Sequence, residues 1–293
     1  MSSAKWGKKI FSLCPHIRKS LFVSFYRANA REPVKPQALL AALRTQQKKQ
    51  KNFTTGELKA MNPRRVLLKL SGEALAGSGK TGYEEATVKE VARQVKISVD
   101  AGVELGIVIG GGNFWRGRTS NAIDRTKADQ IGMLATIMNC IYVSEIFRNA
   151  GMDTSILTPF PCGSMTELFS KDKANQYFKE GKVVFFAGGT GHPYFSTDTG
   201  IALRAIEMDA DCILLAKSID GVYDSDPKLN PKAVKYEKIT IEEVIEKQLG
   251  VIDLTASIMC MENKMPLAVF SLNEKDGIAN AMQGKISGTI VTA

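Results

Sequence analysis

A lysine beside a glycine turn at the end of an apolar run is a natural phosphate holder. The turn lets backbone N–H groups approach an anion, and the lysine adds a mobile positive charge. The stretch "VLLKLSGEALAGSGKTG" (66–82) offers two such places. One is Lys69, Leu70, Ser71 and Gly72. The other, "GSGKT", reads like the end of a P-loop, which needs Gly, four residues, then Gly-Lys-Ser/Thr, with a strand entering and a helix leaving. Here Ala74 stands where the first glycine belongs, the apolar run ends at Leu70, and Gly82 follows Thr81 where a helix should grow. "GSGKT" therefore reads as a surface loop. "KLSG" is the better candidate, with a solvated rim lysine beside an ordinary turn as the plain alternative.

Two more glycine-rich segments, "IGGGNFWRG" and "AGGTGHPYFSTD", also follow apolar runs. The strand candidates from residue 65 onward are "RVLLKL", "VELGIVIGG", "TSILT", "KVVFFAGG", "DCILLAK", "LAVFSL" and "GTIVT". Helical periodicity separates them at about 84–101, 126–150, 171–180, 198–209, 240–248, 254–264 and 275–282. Such alternation predicts an α/β fold, a three-layer αβα sandwich around a mainly parallel sheet. Parallel sheets bind ligands at the carboxyl ends of their strands, where all three glycine segments fall. The segment 126–150 is apolar on more than one side, which predicts a buried helix.

The 293 residues carry 39 Lys+Arg against 30 Asp+Glu. Residues 1–60 hold 13 of the basic residues and only two acids, so the positive excess belongs to them and the remainder is slightly acidic. The basic balance of the whole chain is thus no argument that the body binds nucleic acid. Residues 1–62 read as a basic, unstructured extension, with Met61 as an alternative start. A presequence or an arm for nucleic acid or anionic lipid are the competing readings. Residues 63–293 read as one catalytic domain. Five scattered cysteines form neither a disulfide framework nor a zinc pattern, and a reducing, cytoplasmic setting is expected. No apolar run approaches the length of a transmembrane helix.

In order along the chain, "LLKLSGEAL", "VIGGGNFWRG", "ADQIGMLATIMN", "GGTGHPYFSTD", "IDGVYDSDP" and "VIDLTA" resemble the amino acid kinase fold family and, within it, the bacterial UMP kinases. The resemblance covers residues 63–293. It implies transfer of the γ-phosphoryl group of ATP to UMP with Mg²⁺, in pyrimidine nucleotide biosynthesis. Lys69 would stabilise the transferring group, with Leu70, Ser71 and Gly72 at the ATP phosphates. Gly111 and Gly112 would stand between donor and acceptor, Arg116 would bridge phosphates, and Asp129 would accept from the ribose hydroxyls of UMP. Thr190, Gly191, His192, Pro193, Tyr194, Phe195, Ser196 and Thr197 would wrap UMP. His192 stands where family members commonly carry Asn. Asp198 and Asp253 would orient the lysine and magnesium, Asp198 also being a candidate helix N-cap. Lys217, Tyr223 and Asp226 would line the ATP site. No dedicated protein metal cage is expected. The resemblance also implies a homohexamer using the 126–150 helix, GTP activation and UTP inhibition. Lys80, Thr81 and Gly82 stand where GTP-responsive members have Gly-Phe-Gly.

Two alternatives stay open from the residues. One is a kinase of the same fold making an acyl phosphate, which would need basic groups rather than Asp129 to face its substrate. The other is a non-catalytic nucleotide sensor or nucleic-acid-binding protein using the basic arm.

Overall fold

The computed structural model describes residues 63–77, 79, 81–116 and 122–292. The readings of residues 1–62 lie outside the described residues, as does Lys80. Strand β1 (Arg65–Leu70) is apolar on both faces, with Val66, Leu67, Leu68 and Leu70 fully buried. That is the pattern of a parallel strand covered on both sides. Its partners are β2 (Glu104–Ile109) on one side and β6 (Cys212–Lys217) on the other, both parallel. The remaining sheet strands are β3 (Thr154–Thr158), β4 (Glu167–Leu168), β5 (Val183–Phe186), β9 (Lys238–Thr240), β10 (Leu267–Ser271) and β11 (Thr289–Thr292). The order is β4-β3-β5-β2-β1-β6-β10-β11-β9, and only β10–β11 is antiparallel. Two short strands, β7 (Val222–Tyr223) and β8 (Lys235–Tyr236), form a separate ribbon.

The helices are α1 (Gly72–Leu75), α2 (Glu85–Asp100), α3 (Arg125–Asn149), α4 (Lys171–Lys179), α5 (Thr197–Glu207), α6 (Ile241–Glu246), α7 (Leu254–Asn263) and α8 (Gly277–Met282). On one face of the sheet Val66, Leu68 and Leu70 pack with α2, α3 and α8. On the other, Leu67 joins Ile213 and Leu215 against α4, α5, α6 and α7. The expected three layers are present. All seven predicted strands lie in the sheet. The missed elements, α1, β4, β7, β8 and β9, are at most four residues long and too short to show periodicity.

Helix α3 corrects two expectations. By length and composition it is long and apolar enough to cross a membrane, contrary to the expectation that no apolar run approaches that length. Here it serves as a core helix: Ile137, Cys140, Val143 and Phe147 pack against the sheet, and Thr136 and Asn139 make buried hydrogen bonds. Nor is it buried all round. Ile131, Leu134, Met138 and Ile141 are 39%, 52%, 49% and 37% exposed and, at helical spacing, form one apolar stripe.

Gly288 opens β11 where a Cβ would lie 1.9 Å from the Val269 carbonyl oxygen, whereas a Cβ on Gly250 would meet nothing within 4 Å. Gly288→Ala is expected to lower stability by about 1–3 kcal/mol, as overpacking does. Gly250→Ala should stay within about 0.5 kcal/mol. Urea denaturation of the two variants checks the difference.

Candidate active site

Side chains alternate along a strand, so Lys69 leaves β1 on the same face as Leu67, toward the layer holding α5. There its ammonium meets the carboxylate of Asp198 in the first turn of α5. The two side chains are only 14% and 19% exposed, so water screens the pair weakly. Asp198 does not cap its helix as the sequence allowed. Ser196 does, its hydroxyl accepting from the N–H groups of Asp198 (3.0 Å) and Thr199 (3.4 Å). That division of labour leaves the Asp198 carboxylate for Lys69. The Ser196 hydroxyl also donates to Asp253. Asp253 accepts from the Thr199 hydroxyl (2.9 and 3.0 Å) and caps α7 through the Ala256 N–H (2.9 Å). One acid thus holds the lysine and the other braces the start of α5 against α7.

Lys217 ends β6 on this same face, since its alternates Ile213 and Leu215 lie in the same core cluster. Its ammonium donates to the Val251 carbonyl. Burial pushes it below the ordinary lysine value; Asp198 opposes the shift and the charge of Lys69 adds to it. Two lysines and an aspartate therefore share one sheet edge, a positive field suited to a polyphosphate.

The glycine turns after β1 and β2 touch. A Cβ on Gly72 would lie 2.2 Å from the Gly110 carbonyl oxygen, so only glycine allows this approach. The Gly110 N–H in turn donates to the Leu70 carbonyl at 3.1 Å. Leu70 has a fully buried side chain, so it faces any ligand through its backbone alone. The turn continues with the Gly111 carbonyl accepting from Phe114 and Trp115 (both 3.0 Å). Gly111 is pressed against α3, where a Cβ would lie 2.9 Å from the Gly132 carbonyl oxygen. Arg116, on the surface beyond this turn, is joined to Glu73 of α1, whose carboxylate lies over Gly112.

Beside these turns is a cavity of about 180 Å³. Gly111, Asp129, Thr190, His192, Phe195, Ser196 and Thr197 line it, whereas Gly191, Pro193 and Tyr194 of the same expected set do not. Asp129 Oδ2 accepts from Arg125 Nε and from the Tyr194 N–H, both at 2.8 Å. Tyr194 has φ +72°, a left-handed backbone that is uncommon outside glycine, and its ring lies 5.2 Å under the Arg125 guanidinium. Asp129 thus pins the loop that walls the cavity. The strand-end glycines after β5 are tethered too, by Gly188 N–H to Thr136 Oγ1 at 2.9 Å.

Tyr223 and Asp226 do not line this cavity. The Tyr223 hydroxyl donates to Asp220 at 2.8 Å, and Asp226 accepts from the Lys228 N–H at 2.9 Å within its own turn. Trp115, Arg125, Met133 and Thr136 do line it and were not foreseen. Arg125 had a partial signal, lying four residues before Asp129 and one residue before the predicted helix, at a spacing where opposite charges meet if the helix starts earlier. Met133 and Thr136 had none apart from the apolar face. Trp115 is fixed by its indole N–H on the Ala128 carbonyl (2.8 Å). Cys140, Cys162, Cys212 and Cys260 are unpaired; burial raises the Cys212 and Cys260 thiols to about 12, which removes them from thiolate chemistry.

A mainly parallel sheet with glycine turns and a paired lysine at one carboxyl edge defines an α/β phosphate-handling protein. The family model of the amino acid kinase family matches residues 64–271, and the chain belongs to that family. Among solved structures it is similar to a UMP kinase from Bacillus anthracis, at 34% identity and TM-score 0.76 over 78% of this chain and 96% of that one. A UMP kinase from Ureaplasma parvum matches at 34% identity and TM-score 0.75, over 80% of this chain and all of that one. A uridylate kinase from Archaeoglobus fulgidus matches at 26% identity and TM-score 0.60, over 77% and 99%.

Because burial depresses Lys217, the unfolded chain holds its proton more tightly than the folded one, and this cost to stability is relieved as pH rises toward the ordinary lysine value. Lys217→Met is therefore expected to raise the melting temperature at pH 7. That advantage should shrink as pH approaches 10. Thermal melts of both proteins across that range check the sign.

Proposed function

We propose that this chain is a UMP kinase: it transfers the γ-phosphoryl group of ATP to UMP, giving UDP, in pyrimidine nucleotide biosynthesis. The observation that carries the reading is Lys69, held by Asp198 where the glycine turns meet, beside a cavity whose wall is Asp129. Kinship with UMP kinases at 34% identity supports it. The attacking group is a UMP phosphate oxygen, already ionised at neutral pH because the second pKa of a phosphate monoester is about 6. No general base is required, and catalysis reduces to positioning and charge stabilisation.

Lys69 neutralises charge building on the transferring group, and Asp198 keeps the ammonium aimed. The N–H groups around Ser71 and Gly72 hold the ATP phosphates, and those of Gly111 and Gly112 lie between donor and acceptor. Arg116 exchanges Glu73 for phosphate. Lys217 serves the ATP side, with Tyr223 and Asp226 at its margin. A carboxylate has about four lone-pair sites, so Asp129 can keep Arg125 and Tyr194 and still accept from ribose hydroxyls. The loop from Thr190 to Thr197, including Gly191 and Pro193, encloses the nucleotide, with Thr190 and His192 at uracil and Thr197 at its phosphate.

Among the described residues no three acidic, histidine or cysteine side chains converge on a metal position. Mg²⁺ carried by phosphates needs only one or two carboxylates, and Asp198 and Asp253 fit that need; bound there, the ion would neutralise the donor phosphates. The exposed stripe of α3 suits burial against a second copy, in a homohexamer open to GTP activation and UTP inhibition. Residues 63–293 are the catalytic domain, in the cytoplasm.

An acyl-phosphate-forming relative would present cations where Asp129 stands, so the acid disfavours that reading. A coupled ADP-release assay with MgATP and UMP, CMP or acetylglutamate tests the choice. UMP-dependent turnover is expected, falling about 10²-fold or more in Lys69→Ala, as loss of a charge-stabilising group does. Turnover with acetylglutamate, or without acceptor, would contradict it. Because Asp129 is assigned to the ribose hydroxyls, kcat/KM for dUMP should fall well below that for UMP. Asp129→Ala should narrow the gap, and equal use of both nucleotides by the parent enzyme would remove the assignment.

A further inference from the structure

Two motifs at the site close on asparagines that none of these roles uses: Asn113, ending "IGGGN", and Asn139, ending "ATIMN". Both are buried, at 1% and 0% exposure. Their amides pair reciprocally, Asn113 Nδ2 donating to Asn139 Oδ1 at 3.1 Å and Asn139 Nδ2 to Asn113 Oδ1 at 2.8 Å. Each also reaches outside the pair. Asn139 donates to the Gly110 carbonyl at 2.7 Å, and Asn113 donates to the Gly82 carbonyl at 2.9 Å. The turn after β1 rests on the same group: a Cβ on Gly72 would lie 2.5 Å from Asn113 Oδ1 and 3.1 Å from Asn139 Nδ2.

Packing alone does not call for this. A hydrophobic side chain would fill the space without the desolvation cost that two buried amides carry. What the amides add is direction, because each bond fixes where a particular backbone carbonyl sits. We propose that Asn113 and Asn139 are positioning residues that set the two glycine turns relative to each other, and through them the alignment of donor and acceptor phosphates. The proposal rests on the UMP kinase reading for the identity of those phosphates. A misplacement of about 1 Å at reacting groups costs about 10²-fold in rate, so a small slip of either turn should be visible in kcat.

The test compares full-length parent, Asn139→Leu, Asn139→Asp, Asn113→Ala and the Asn113→Ala/Asn139→Ala double variant. It measures kcat, KM for UMP and ATP, and thermal unfolding. Expected is a kcat loss of about tenfold or more in each variant with both KM values within about threefold, the signature of an interaction used in the transition state. The double variant should lose little more than the worse single one, since the pair acts as a unit. Asn139→Asp carries a further signature. Its carboxylate cannot donate to the Gly110 carbonyl, but its protonated form can, so its kcat relative to parent should recover as pH falls. Variants that melt earlier yet keep kcat within about twofold of the parent would overturn the proposal, leaving the pair a purely structural device. If Asn139→Leu does not fold, Asn113→Ala, which leaves the Asn139 bond to Gly110 in place, decides by the same criterion. A parent without UMP turnover would overturn the kinase reading and the proposal with it, whereas an active parent with unaffected variants would overturn the proposal alone.

Discussion

An ammonium at the end of a strand covered on both faces needs a polar partner, and the Lys69–Asp198 pair is where the local chain geometry converges. The pleat of β1 sends Lys69 to the α5 side. Ser196 takes over the capping of α5, which leaves Asp198 for the lysine. Asp253 then fixes Ser196 and Thr199, so the first turn of α5 cannot drift relative to α7. Removing one member of such a pair would strand the other charge in a poorly solvated place, a heavier cost than losing an exposed ion pair. Lys217 deepens the dependence. It adds a second, partly desolvated cation to the same edge, a stability liability that makes sense where anions are to be held.

The other half of the site is backbone. Three turns that follow parallel strands come to one end of the sheet because parallel strands all point the same way. Glycine lets them approach more closely than any other residue allows, as between Gly72 and Gly110. Helix α3 then orders the arrangement from one side. Its Asn139 holds the turn after β2, its Thr136 the turn after β5, and its Asp129 the loop carrying Tyr194. One long helix thereby fixes cavity walls that come from distant parts of the chain. This explains why a helix apolar enough to suggest a membrane span carries polar residues at the positions facing the site. For a reaction whose nucleophile is already ionised, such rigid placement of charges and N–H groups is most of what a protein can supply.

Much of this was legible in the sequence because the sheet is parallel and buried. Such strands are continuous apolar runs, so all seven candidates are found, and three of them carry glycine at the carboxyl ends that border the candidate site. The near P-loop at "GSGKT" was separable from "KLSG" by spacing alone. What sequence could not show falls into two kinds. Elements of two to four residues, such as α1 and β4, exist only through tertiary partners and carry no period. Side-chain partnerships across the fold, such as Asn113 with Asn139 or Arg116 with Glu73, join residues 26 and 43 positions apart and have no local signature. The capping of α5 belongs to the same kind: Asp198 was a candidate cap, but Ser196 takes that role and the Asp198 carboxylate meets Lys69 across the layer.

Phosphoryl transfer by placement needs no proton-abstracting side chain, and the pH dependence of kcat/KM for UMP puts this to the test. Expected is a single rise through the second ionisation of the free UMP phosphate, at about pH 6, followed by a plateau across neutral pH. The same shape is expected in His192→Asn, which changes the one histidine among the described residues that lines the cavity. A bell-shaped profile, or a second ionisation near neutrality that His192→Asn abolishes, would contradict transfer by placement and assign a proton transfer to the protein.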